Sequence, residues 1–177
     1  MKTKRLAADA LCAALYVLLS SYASVSLVNM KLSFDGAALL IGALLFGPVD
    51  GLIIGALGSF LGQLLGPYGL SVTTPLWMLP AMARGLMVGL WAKRRGGRYD
   101  RRALAGILVA SALVVTAVTT GVMWVDSRAF AYPFAATLPS VLLRVAAGLI
   151  TSAIYTLILP PIVRALRKSG WAESEEI

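Results

Sequence analysis

Apolar residues along this chain fall into six runs separated by short polar interruptions, and the run lengths predict membrane-crossing helices. The first run spans Leu6 to Ser26 and reaches the roughly 20 residues that an α-helix needs to cross a bilayer. The second, Phe34 to Phe46, meets the third, Leu52 to Leu65, at Gly47-Pro48-Val49-Asp50-Gly51, a strong turn signal. The fourth covers Thr74 to Ala92, the fifth Leu104 to Val125, and the sixth Leu138 to Leu166 with a break expected at Pro160-Pro161. At about 1.5 Å rise per residue, the second run covers only about 20 Å of an apolar core of about 30 Å. It must either extend through Met30–Ser33 or be sheltered by its neighbours as a partial span. Residues 169–177 form a polar tail, and no linker divides residues 1–168, which read as one domain.

The positive charges test this count. Of the 16 Lys and Arg, twelve sit in three interruptions: Lys2, Lys4 and Arg5; Lys93, Arg94, Arg95, Arg98, Arg101 and Arg102; and Arg164, Arg167 and Lys168. Six crossings with the N-terminus inside bring all three clusters to the cytoplasmic side, as the positive-inside rule requires, whereas five would strand the last one outside. The expectation is an all-α membrane protein of six transmembrane helices with both termini cytoplasmic. Met1-Lys-Thr-Lys-Arg5 resembles the start of a secretory signal, but Asp9 interrupts the run and more spans follow, so a retained first helix is expected.

Composition agrees and narrows the chemistry. With 59% hydrophobic and 14% charged residues and a mean hydropathy of +0.83, the chain is too apolar for a soluble domain. Loop bias accounts for most of the net charge of +8, so nucleic-acid binding is not expected. A single cysteine, Cys12, precludes an intrachain disulfide. The absence of histidine removes His-based triads and the usual zinc sites, and neither metal nor cofactor is expected.

Small residues recur at helical spacing. Gly51, Gly55, Gly58, Gly62 and Gly66 share one face of the third run, and Ala81, Gly85 and Gly89 repeat the device in the fourth. In lipid such faces let helix backbones approach closely, and both are expected to pack within the subunit. Ala10 and Ala14 form an Ala-x-x-x-Ala pattern near the inner end of the first run. It serves either internal packing or a smooth patch on which another membrane subunit slides.

Four cations escape the sorting. Arg84 and Arg144 lie inside apolar runs, where a bare guanidinium is costly. Each either satisfies helix or loop carbonyls, or, for Arg144, an outer acid, or it faces a ligand. Lys31 and Arg128 fall on the outer side with a set of polar and aromatic residues. Asn29, Lys31, Ser33 and Asp35 follow the first run; Gln63, Tyr68, Ser71, Thr73, Thr74 and Trp77 surround the third interruption; Trp124, Asp126, Arg128, Tyr132 and Phe134 surround the fifth. Aromatics at this level suit an interfacial belt. Together with hydroxyls and an amide they also describe a pocket whose apolar walls supply burial and whose polar groups fix orientation. An excess of cations there favours a carboxylate. The candidate substrate-binding residues are Asn29, Lys31, Phe34, Tyr68, Thr73, Thr74, Trp77, Trp124, Arg128 and Arg144.

The run from Lys31-Leu-Ser-Phe-Asp-Gly36 through Leu45-Phe-Gly-Pro48 to Gly51-Leu-Ile-Ile-Gly55-Ala-Leu-Gly58 resembles the substrate-binding (S) components of energy-coupling factor (ECF) vitamin transporters. The likeness is nearest to the branch that includes folate S components. Pro67-Tyr-Gly-Leu-Ser-Val-Thr-Thr-Pro-Leu-Trp77 departs from that branch and leaves the vitamin open. The resemblance implies a protein of the bacterial cell membrane that captures a vitamin, folate or another carboxylate-bearing one, with high affinity from outside. It further implies docking on a transmembrane coupling subunit that joins two cytoplasmic ATPases, with Ala10 and Ala14 as the coupling face and Lys31 as the basic residue opening the first outer loop. The sequence contains no Gly-x4-Gly-Lys-Ser/Thr phosphate loop, so ATP hydrolysis is expected on partner subunits and the chain is not itself expected to be an enzyme. The alternative is a multi-pass scaffold or accessory subunit that assembles through its small-residue faces and has no pocket.

Overall fold

The computed structural model describes residues 2–27, 30–66, 69–96 and 100–169, with the backbone alone for residues 2, 4, 24–27, 30–33, 136 and 138. Six α-helices run in sequence: α1 (Lys2–Tyr22), α2 (Gly36–Phe46), α3 (Pro48–Leu64), α4 (Thr74–Arg94), α5 (Arg101–Ala129) and α6 (Leu138–Lys168). Three of them, α1, α5 and α6, are long and apolar enough to cross a membrane by length and composition.

Between α1 and α2 the chain forms a short antiparallel hairpin of β1 (Ser24–Leu27) and β2 (Met30–Ser33), in register Ser24 with Ser33 and Leu27 with Met30. The first apolar run therefore stops being helical at Tyr22. Ser24-Val-Ser-Leu27 alternates with period two and is poor in strong helix formers, which suits a strand. This hairpin also decides how the short second run manages its length. Met30–Ser33 does not extend α2, so at about 1.5 Å per residue the helix is only about 16 Å long. It survives by shelter: Ala38, Leu39, Leu40 and Ala43 are at most 1% exposed. Asp35 accepts from the Gly36 N–H at 2.6 Å and closes the start of this helix.

Gly47 stands at φ +107° between α2 and α3, a conformation that a side chain would strain, and Pro48 opens α3. From there α3 packs closely on α4. A Cβ built on Gly51 would lie 2.7 Å from the Gly85 carbonyl oxygen, and one on Gly55 would lie 2.8 Å from the Ala81 carbonyl oxygen. The small-residue faces of the third and fourth runs thus pack within the subunit, except at Gly62, beside which nothing lies within 4 Å among the described residues, and at Gly66, which meets only the backbone of Gly62 and Gln63. The helix α6 continues through Pro160 and Pro161 to Lys168, where the sequence suggested a break. The fixed φ of proline is compatible with a helix, so the two lost N–H donors do not end it.

One end of the bundle gathers the N-terminus of α1, the α2–α3 turn and the C-terminus of α6. Arg5 donates through Nε to Asp50 Oδ1 at 2.9 Å and through Nη2 to the Phe46 carbonyl at 2.6 Å. Arg167 Nη2 donates to the Leu44 carbonyl at 3.2 Å. The apolar core lies next to this end, where Leu40, Leu44, Val88, Leu104, Leu108, Tyr155, Leu159 and Val163 cluster.

Candidate functional site

The half of the bundle away from the basic end is hollow. A cavity of about 500 Å³ lies there, and all six helices contribute to its wall. Its lining repeats at helical spacing. On α4 it is Trp77, Pro80, Ala81 and Arg84; on α5 it is Ala112, Val115, Thr116 and Thr119; on α6 it is Ser140, Arg144, Ala147, Gly148 and Thr151. Positions three and four apart share one side of a helix, so α5 and α6 each present a narrow stripe carrying hydroxyls, while α4 presents a mostly apolar one with Arg84. Tyr16 and Ser20 from α1, Asp35, Gly36 and Leu39 from the start of α2, and Ser59 from α3 complete the wall.

Several hydroxyls in this wall are already committed as donors. Ser59 donates to the Trp77 carbonyl at 3.2 Å, Thr116 to Ala112 at 2.9 Å, Ser140 to Thr137 at 2.6 Å and Thr151 to Ala147 at 2.8 Å. Thr116 and Thr151 bond back to their own helices, Ser140 to the residue before α6 and Ser59 across to α4, which satisfies each proton inside the apolar bundle and leaves the oxygen lone pairs free to accept. Pro80 withdraws one backbone N–H from α4 beside the cavity.

Arg84 stands at the middle of α4. Its guanidinium carbon lies 5.5 Å from the ring centroid of Tyr155, a residue only 2% exposed. A cation over an aromatic face recovers part of the lost hydration. A Cβ on Gly36 would meet Arg84 Nη1 at 2.7 Å, so the absence of a side chain there makes room for the guanidinium against the start of α2. Arg84 Nε and Nη2 are buried and have no hydrogen-bond partner among the described residues. Arg144 lines the same cavity, and among the described residues nothing hydrogen-bonds or pairs with it.

Of the ten candidate substrate-binding residues, Trp77 and Arg144 line the cavity, as do Asp35 and Arg84, which the sequence also singled out. Thr73 and Thr74 do not, because both are buried in the loop that starts α4. Thr73 donates to Asp126 at 2.6 Å, and Thr74 Oγ1 accepts from the Ser71 N–H at 2.8 Å. Phe34 packs against the apolar core instead. Trp124 is 51% exposed and stacks with Arg128 at 5.5 Å, so this pair satisfies itself on the outside of α5. Asn29, Tyr68 and the side chain of Lys31 lie outside the described residues. Ala10 and Ala14 are both exposed on the outward face of α1, while Ala8 and Ala13 turn inward at 5% and 3% exposure.

Sequence reasoning centred on the loops missed Tyr16, Ser20, Ser59, Thr116, Thr119, Ser140 and Thr151, and for Arg84 it offered helix carbonyls or a ligand and missed Tyr155. The available signal was the hydroxyl spacing within the fifth and sixth runs, Thr116 with Thr119 and Ser140 with Arg144, Gly148 and Thr151, which falls on one helical face.

A family model described as "ECF-type riboflavin transporter, S component" matches residues 1–168. No curated protein matches the chain. The match supports the S-component resemblance and does not support its folate-type branch.

Proposed function

The chain belongs to the ECF-type riboflavin transporter S components, and from that membership we propose that it binds a flavin in the six-helix cavity and hands it inward through partner subunits. The observation that carries this reading is the cavity itself. A volume of about 500 Å³ falls in the range of about 300–1,000 Å³ typical of small-molecule sites. Tyr16 and Trp77 offer flat faces for a tricyclic ring, while the hydroxyl oxygens of Ser59, Thr116 and Thr151 are free to accept from a polyol tail.

Placement supports a direction of transport. The basic end of the bundle belongs in the cytoplasm by the positive-inside rule, which puts the cavity in the outer half of a six-crossing protein of the bacterial cell membrane. Capture is then extracellular. Release requires a partner, and the exposed Ala10 and Ala14 on α1 provide a face for a transmembrane coupling subunit whose associated ATPases supply the energy.

The test is a riboflavin titration of the purified chain in detergent, read by quenching of flavin fluorescence. Saturable binding is expected, and Trp77→Ala should weaken it by at least about tenfold through loss of aromatic contact. Failure of every flavin to bind the unaltered protein would overturn the flavin reading.

A further inference from the structure

A neutral flavin leaves the electrostatics of this cavity unanswered. Among the described residues, two guanidiniums, Arg84 and Arg144, border it against one carboxylate, Asp35. That carboxylate is partly committed, since it accepts from the Gly36 N–H at the positive end of α2. Arg84 lies against the same helix start, so its charge adds to the dipole there rather than opposing it. The face of Tyr155 compensates the guanidinium plane but takes no N–H bond, and Nε and Nη2 stay unpartnered in a buried position. Arg144 likewise has no acid or carbonyl among the described residues. Leaving charged donors unpaired inside a bundle costs more than leaving neutral ones, and cations at membrane depth mark ligand pathways.

We propose that Arg84 and Arg144 together form an anion site, so that the cargo is a flavin-sized molecule carrying an acidic group, a carboxylate or a phosphate. A planar guanidinium matches either oxyanion with two parallel N–H bonds, and a pair of them accepts one such group from two sides of the cavity. The hydroxyl oxygens described above do not compete for this role, because they are acceptors. This inference rests on the cavity being the cargo site.

The experiment compares riboflavin, riboflavin 5′-phosphate and a flavin with a carboxymethyl tail on the purified full chain. The acidic flavins are expected to bind about 10–100-fold more tightly than riboflavin, the scale of one or two charge-assisted bonds. The two acidic flavins then separate phosphate from carboxylate as the preferred group. In Arg84→Gln and in Arg144→Gln the ratio of acidic to neutral affinity should collapse toward one, and Arg144→Lys should restore part of it. Equal affinities in the unaltered protein overturn the proposal, as does a ratio that persists in both Gln variants. If either variant fails to fold, the comparison on the unaltered chain decides alone. If no flavin binds at all, the flavin reading falls separately and folate, an acidic non-flavin, becomes the probe. Folate binding lost in Arg144→Gln sustains the anion site, and absence of folate binding overturns it.

Discussion

Asp126, near the end of α5, accepts hydrogen bonds from two different loops: from Thr73 Oγ1 at 2.6 Å and from Tyr132 Oη at 3.0 Å. The first ties the loop before α4 to α5, and the second ties down the chain leaving α5 toward α6. A carboxylate bond of this kind is worth about 1.5–3 kcal/mol, so Asp126→Ala should destabilise the protein by about 2 kcal/mol in thermal unfolding followed by size-exclusion. The same contact sets a pH dependence. Partial burial, the hydrogen bond to Asp126 and its negative charge all hold the Tyr132 phenol above the ordinary value of 10.0. A group raised in this way stabilises the fold fully below its ordinary value, and that contribution is lost as pH rises through the elevated one. The alkaline difference spectrum between the unaltered protein and Tyr132→Phe should therefore show one phenol titrating above the ordinary range, moving down in Asp126→Ala. A phenol titrating at its ordinary value in the unaltered protein would refute the contact. These residues also show why loop polarity alone does not locate a site: the Thr73 hydroxyl, the Asp126 carboxylate and the Tyr132 phenol, drawn from two separate loops and the end of α5, satisfy each other rather than a ligand.

Among the helices, what was legible in the sequence was whatever repeats at helical spacing. The small-residue stripes of α3 and α4 specified a contact that the structure makes: Gly51 against Gly85, and Gly55 against Ala81. Gly51→Leu should accordingly cost about 1–3 kcal/mol or more, because backbone rather than a flexible side chain occupies the space. Gly62→Leu, about three turns further along the same stripe but with nothing within 4 Å among the described residues, should stay within about 0.5 kcal/mol. Equal losses in thermal midpoint would mean that the stripe works through backbone flexibility instead of close approach. The polar stripes of α5 and α6 were equally periodic, yet threonines and serines in an apolar run satisfy their own helix carbonyls and so read as innocuous. The hairpin before α2 was hidden differently: Ser24–Leu27 continues an apolar run in composition, and only its period-two alternation separates strand from helix. Arg84 could not be interpreted without the fold, since Tyr155 and the start of α2 reach it from positions distant in the chain.

At the scale of the molecule, α1 faces two ways. Asp9, Ala8 and Ala13 are at most 5% exposed and join it to the bundle, whereas Leu6, Leu11 and Leu18 are more than half exposed at 67%, 59% and 54%. Ala10 and Ala14 lie exposed among those leucines, so the outward face is apolar with a shallow strip down its middle. Against lipid alone the strip brings no advantage, because hydrocarbon packs on leucine and alanine alike; against another helix it permits close approach and sliding. That distinction makes the coupling reading testable in one double variant. Ala10→Trp with Ala14→Trp fills the strip without touching the cavity lining on α4, α5 and α6. Ligand binding by the purified variant should stay within about twofold of the unaltered chain, a difference below about 0.5 kcal/mol. Uptake by cells or vesicles that contain the coupling subunit and its ATPases should fall to background. If binding falls as far as uptake, Ala10 and Ala14 support the bundle rather than a partner. If uptake survives, the partner docks on another face of the protein.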